Sequence, residues 1–360
     1  MAISGNFNDK TILLIDADTK KQNDRTWCFW EKGNGNWDVI VHKQWHTAIF
    51  ASDRFRKSLD FEGYTYKMIL GLDFYNHVFT ELEKRSNISV INQKVNSFSA
   101  SDTQVTVKTD TDEFTCNKIF NSIYNPELPL SQKKYPVLQQ HFIGWKVKTK
   151  EPVFTPEKAT FMDFSVPQKG NTRFMYILPT TPHEALVEYT LFSEKLLPVQ
   201  EYENAIKDYL PDLGVTHYEI TDTEKGSIPM TVYPFWENNS KNVLHIGSAG
   251  GWTKASTGYT FKNADRKSAE LVAFLNTESN LSKFQKKNRF WFYDLLLLDI
   301  LYRTNEKGAT IFSSMFSSGK AGLIFKFLDE ETSPAEDLQV ILKCPKTPFI
   351  KALFKRLVNL

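Results

Sequence analysis

Between Gln139 and Ser193 the chain alternates along long aromatic-rich runs, such as Phe142-Ile143-Gly144-Trp145-Lys146-Val147 and Arg173-Phe174-Met175-Tyr176-Ile177-Leu178. A period of two sends successive side chains to opposite faces of a strand. Runs of this length read as a mostly antiparallel sheet with one face buried and one lining something. The flanking segments have another rhythm. Thr11 to Ile15 is a short apolar run ending at Asp16, the signature of a buried, parallel-type strand. Leu72 to Lys84 carries helical apolar spacing, and Ile88 to Ile91, Gln104 to Lys108 and Lys118 to Ser122 read as further strands. That alternation predicts an α/β lobe. Asn242 to Ile246 returns to a short buried strand, and from Asp265 onward the pattern is mainly helical.

Bulk properties narrow the function classes. The 360 residues are too many for one simple core and suit two interleaved lobes. A formal net charge of +2 gives nucleic-acid binding no support. Cys28, Cys116 and Cys344 are scattered, with no CxxC pair or disulfide framework, as suits a reducing cytosol. The seven histidines form no HExxH or Cys/His cluster, so a metal site is not expected. No apolar stretch reaches about 18 uncharged residues; the nearest, Phe290 to Tyr302, is interrupted by Asp294 and Asp299.

Five segments carry a more specific signal: Asn23 to Trp30; Phe161-Met162-Asp163-Phe164 with Thr172 to Pro179; Ala185-Leu186-Val187-Glu188-Tyr189-Thr190; Gly226-Ser227-Ile228-Pro229-Met230; and Gly247 to Trp252 running on to Tyr259. In this order they resemble the bacterial lycopene cyclases and span most of the chain. The resemblance implies an α/β (α+β) protein. A Rossmann-like FAD-binding lobe (1–138 and 241–280) would accept an inserted antiparallel-sheet substrate domain (139–240), with a helical carboxy-terminal region (281–360) after it.

It also implies chemistry: isomerising ring closure of lycopene end groups, with reduced FAD as cofactor and NAD(P)H as its reductant. Glu188 is the candidate proton donor. Protonating an unactivated double bond needs a carboxyl kept protonated near neutral pH, which a dry pocket favours. The alternation of Glu184, Leu186, Glu188 and Thr190 puts these four on one strand face. Asp163 is the candidate second carboxyl, supporting that site by hydrogen bonding or charge. Asp16, after its strand, matches the acid that binds a ribose hydroxyl in dinucleotide lobes. Arg25 and Thr26 match flavin phosphate or ribose contacts. Gly247, Ser248, Ala249, Gly250 and Gly251, with Thr257 and Gly258, match the stretch beside the flavin, where small residues admit close backbone approach. Another flavoprotein, such as a prenyl reductase or monooxygenase, and a flavin-free carotenoid-binding remnant are the alternatives.

Three further expectations follow. A dinucleotide lobe opens with a strand, GxGxxG and a helix, but Gly5 is the sole glycine before Ile12. The lobe is therefore expected to be amino-terminally incomplete and to bind FAD poorly. Phe327 to Thr332 superficially resembles the glutamate motif of plant cyclases, but precedes Ser333-Pro334 and reads as a solvated helix connection. Phe349, Ile350, Leu353, Phe354 and Leu357 fall on one helical face, with Lys351, Lys355 and Arg356 away from it. That pattern suits peripheral contact with the cytoplasmic membrane, from which lycopene and related carotenes would be drawn.

Overall fold

The computed structural model describes residues 1 and 4–358. Its centre is a seven-stranded sheet, in the order Tyr218–Thr231, Val137–Thr149, Glu184–Ser193, Thr172–Thr181, Lys158–Asp163, Thr47–Ala51, Arg56–Asp60. The first five are the aromatic alternating runs and the segment after them, and the four consecutive pairings among them are antiparallel. The last two come from the segment assigned by sequence to the first lobe, and Thr47–Ala51 pairs parallel with Lys158–Asp163. Their short runs gave no sequence signal of joining this sheet.

Alternation gives the sheet two different faces. Ile143, Trp145, Met175, Ile177, Val187 and Tyr189 point one way and pack with Tyr202 and Ile206 of the helix Val199–Tyr209. Glu188, Tyr176, Phe142, Phe174, Gln140 and Phe192 point the other way, into a cavity. The face choice is fixed because a one-residue slip would exchange the two sets.

The short apolar runs form parallel pairs in two small pieces, but the first strand, expected to be buried, is not. Ile12–Asp16 pairs with Ile88–Asn92, and Ile119–Asn121 pairs with Val243–His245. Ile15, Ile119 and Val243 share one apolar cluster, which joins the two pieces. Leu13, Leu14 and Val90 remain exposed. The helix expected over Leu72 to Lys84 spans Gly71–Glu83.

The carboxy-terminal half is helical, with helices at Phe261–Leu275, Arg289–Arg303, Gly308–Phe316, Gly322–Leu328, Pro334–Ile341 and Lys346–Val358. The phenylalanines explain how these helices meet the sheet. Phe50 stacks on Phe316 with ring centroids 4.9 Å apart, and Phe164 on Phe312 at 5.9 Å. Such pairs add about 0.5–1.5 kcal/mol each beyond area burial. Asp294 and Asp299, which interrupt the apolar helix, are both buried and both paired. Lys254 lies 3.0 Å from Asp294, and Arg356 forks onto Asp299 at 2.6 and 2.7 Å.

Candidate active site

Cross-strand register assembles the site. Glu224, Gly144, Glu188 and Tyr176 stand side by side across four adjacent strands. Two residues along, the next row is Gly226, Phe142, Thr190 and Phe174. These rows form the floor of a cavity of about 500 Å³, a size typical of small-molecule sites. Its other wall comes from Cys28 and Tyr66 on the strands Thr26–Lys32 and Tyr64–Leu70, and from the loop Ser256 to Phe261.

Glu188 is 8 % exposed on this floor. Burial is the main force on its carboxyl and pushes its pKa up to about 8; the nearby Glu224 adds to the rise. The Thr190 hydroxyl donates to Glu188 Oε1 and opposes the shift. The acid is therefore mostly protonated at neutral pH, as a proton donor must be. Its neighbours are tyrosines. Tyr66 Oη lies 2.5 Å from Tyr176 Oη and 2.8 Å from Tyr259 Oη. Burial raises all three phenols, and pushes the adjacent Cys28 thiol up to about 12. Within this cluster Glu188 is the strongest acid.

Two buried polar atoms on the cavity wall, Gln140 Oε1 and Thr257 Oγ1, have no hydrogen-bond partner among the described residues. An unmade hydrogen bond on a buried group costs about 1–3 kcal/mol. A ligand with a polar edge would satisfy them. Gly258 stands beside these atoms at φ +73°, and a Cβ there would meet Gln140 Oε1 at 2.7 Å.

The other residues singled out by sequence divide into two groups. Arg25, Thr26, Ser248, Thr257 and Gly258 line the cavity. Gly247, Ala249, Gly250 and Gly251 sit beside it and shape the turn. A Cβ on Gly250 would meet His245 O at 2.1 Å, and Gly247 and Gly251 have φ of +57° and +68°. Their small size serves the turn itself, and Ser248 is the one of the five that reaches the cavity. Asp16 ends its strand partly exposed, with Lys20 at 3.5 Å, and lies off the cavity wall.

Asp163 is not brought to Glu188. An irregularity in the strand between Thr160 and Asp163 turns its side chain to the opposite face from Phe161. There it is 1 % exposed and bonded to Arg56 at 3.0 Å, Tyr209 at 2.7 Å and Ser165. The carboxyl that shares a row with Glu188 is instead Glu224, which no motif marked. Its alternation with Gly226 and Ile228 was a usable signal, but only with the pairing register in hand.

The Phe327 to Thr332 segment is not a solvated connection. Asp329 accepts Trp30 Nε1 at 2.8 Å, Glu330 lies 3.0 Å from Lys254, and Thr332 donates to Asp337 at 2.6 Å. Lys254 lies two residues before the cavity loop, so this segment braces the site from behind. The last helix is also split differently from its expected face. Phe349 and Ala352 pack inward and Arg356 is held by Asp299, whereas Ile350, Phe354 and Leu357 are exposed. Among the described residues no helix is long and apolar enough to cross a membrane.

Comparison with solved structures finds the same fold in several enzymes. A flavin-dependent brominase, Bmp2, aligns with TM-score 0.56 and 13% identity, covering 98% of this chain and 94% of that one. A 2-methyl-3-hydroxypyridine-5-carboxylic acid oxygenase aligns with TM-score 0.55 and 12% identity, covering 88% and 89%. A geranylgeranyl bacteriochlorophyll reductase-like protein from Thermoplasma acidophilum aligns with TM-score 0.52 and 10% identity, covering 96% and 87%. At these identities the likeness is one of fold, the Rossmann-like mixed α/β class expected from the sequence. In sequence, a lycopene beta-cyclase of Paracoccus sp. (strain N81106 / MBIC 01143) is 26% identical over 229 residues, 59% of this chain. The match spans 58% of that relative's length. The family model described as lycopene cyclase protein matches residues 4–354, and on that match the chain belongs to the lycopene cyclase family.

Proposed function

We propose that this protein is a lycopene β-cyclase, closing the acyclic ends of lycopene into β-rings and so forming β-carotene in carotenoid biosynthesis. The observation that carries this reading is Glu188: a carboxyl buried among aromatic side chains and held protonated to about pH 8. It donates its proton to C2 of the end group. The positive charge at C1 is attacked by the neighbouring double bond, a carbon–carbon bond forms, and loss of a proton from C6 restores neutrality. No atom is gained or lost overall, so the reaction is an isomerisation.

The chain's own residues supply the surroundings. Tyr176, Phe142 and Phe174 line the cavity around the acid. Ring faces attract a nearby cation by roughly 0.5–2 kcal/mol each. The same rings exclude water, which would otherwise capture the cation and stabilise the Glu188 carboxylate.

FAD is the cofactor in this reading, with NAD(P)H as its reductant. The unpartnered Gln140 and Thr257 atoms fit a ligand with donors and acceptors along one edge. Arg25, Thr26, Ser248, Thr257 and Gly258 would hold it. When bound, a reduced, anionic flavin would supply negative charge to favour a cationic transition state, in a reaction that transfers no electrons overall. The substrate reading extends to related carotenes. Because these are insoluble in water, peripheral contact with the cytoplasmic membrane belongs to the same proposal, through Ile350, Phe354 and Leu357.

The test is product mass. The purified full chain, supplied with reduced FAD and lycopene in liposomes, gives a product of unchanged mass with shifted retention. A prenyl reductase would add hydrogen and a monooxygenase would add oxygen; either result rejects the proposal, as does binding of lycopene with no turnover.

A further inference from the structure

Glu188 shares its cross-strand row with a second carboxylate. Glu224 stands two strands away, with Gly144 between them. Strands lie about 4.8 Å apart, so the two backbones are about 10 Å apart with both side chains on the cavity face. Gly144 puts no side chain between them. A Cβ there would meet Glu188 Cβ at 3.3 Å and Cγ at 3.4 Å, so Glu188 itself leans over the gap. Glu224 lies on an edge strand of the sheet, half-buried, and its Oε1 accepts the Thr26 N–H at 3.2 Å.

The groups facing Glu188 can be taken element by element. Its own strand offers the Thr190 hydroxyl, and the Thr172–Thr181 strand offers Tyr176. The opposite wall offers Cys28, Tyr66 and Tyr259. All of these are neutral in the physiological range, because burial raises the thiol and the phenols. Of the ionisable groups on the cavity wall, Asp24 and Arg25 pair with each other, Lys225 neighbours Glu224 on its strand, and Glu224 is the one whose charge acts on Glu188. Around Glu224 itself, burial raises the carboxyl, and the Thr26 donor and the nearby Lys146, which also pairs with Asp222 at 2.8 Å, oppose that rise and favour its charge.

Resting on the reading of Glu188 as proton donor, we propose that Glu224 is a positioning residue that keeps Glu188 loaded with its proton. The pair acts as one coupled acid across the Gly144 gap. Two carboxylates in a partly dry site resist double ionisation, so the charge on the more exposed one holds the proton on the other. For unit charges about 10 Å apart at an effective dielectric constant near 20, that coupling shifts the titration by about one pH unit.

The experiment is Glu224→Gln in the full chain. Glutamine keeps the shape and the acceptor for Thr26 N–H while removing the charge. Two quantities are read: the alkaline limit of lycopene cyclisation, and the pH at which the protonated-carboxyl infrared band of Glu188 disappears in substrate-free protein. Loss of the band in Glu188→Gln identifies it. Both midpoints move down by about one pH unit in Glu224→Gln, and Glu224→Asp restores most of the shift. An unmoved infrared midpoint in Glu224→Gln overturns the coupling and leaves the assignment of Glu188 standing. Unimpaired cyclisation by Glu188→Gln overturns the donor reading instead. Should Glu224→Gln fail to fold, Glu224→Ser carries the same two measurements.

Discussion

Replacing Glu188 by glutamine tests the site in two currents at once, because the same burial that makes an acid also destabilises the fold. Glutamine fills the same space and still accepts the Thr190 hydroxyl. With Glu224 held at the sheet edge by the Thr26 N–H, the substitute donor on the facing wall is the Cys28 thiol, pushed up to about 12, against about 8 for Glu188. That gap of about four pKa units is worth about 5 kcal/mol if proton transfer is complete in the transition state. Cyclisation should therefore fall by up to about 10⁴-fold.

Stability moves the other way, and the sign follows from linkage. The folded carboxyl titrates near 8 instead of the ordinary 4.5, so the folded state binds the extra proton between those values. Stability is full below about pH 4.5 and is lost as pH rises towards 8. Above that point the wild type carries a penalty of up to about 5 kcal/mol, which glutamine lacks. Urea titrations of both forms at pH 5 and pH 9 measure the difference. We expect the variant to gain on the wild type by at least about 2 kcal/mol between the two conditions. Equal pH dependence of the two forms, or cyclisation within tenfold of wild type, would refute the reasoning.

Further outcomes follow from the same geometry. Asp163→Asn should cost about 1–3 kcal/mol by weakening the bonds to Arg56 and Tyr209, yet leave the alkaline limit of cyclisation in place; a moved limit would return Asp163 to the acid's neighbourhood. Lys254→Met leaves the Asp294 and Glu330 carboxylates without their cation at a site only 4 % exposed, and should destabilise by about 3–5 kcal/mol in urea titration. Adding Asp294→Asn and Glu330→Gln to that variant should recover part of the loss. The triple change Ile350→Ser, Phe354→Ser, Leu357→Ser should cut sedimentation with liposomes by at least about tenfold with the thermal midpoint unchanged, since these side chains face outward. Undiminished sedimentation would remove this helix from the membrane reading.

Periodicity made much of this protein legible. The run from Glu184 to Thr190 placed Glu188 on a strand face shared with Leu186, and the structure puts that face on the cavity. The short apolar runs at Ile12 and Val243 became parallel strands, and Leu72 onward became a helix. Contacts between distant segments were not legible. Nothing local could show that Asp329 would meet Trp30 or that Arg356 would meet Asp299. Asp163 follows its strand's alternation on paper, but an irregularity near Thr160 turns it towards Tyr209.

What the sequence alone determined was which residues alternate, where turns are forced, and which motifs follow one another; these depend on neighbours a few positions apart. What only the tertiary structure decided was the row that sets Glu224, Gly144 and Glu188 abreast. Strand register is fixed by which faces bury together across the whole sheet. The acidity of a carboxyl then follows from the water and charge excluded around it, which no single segment encodes.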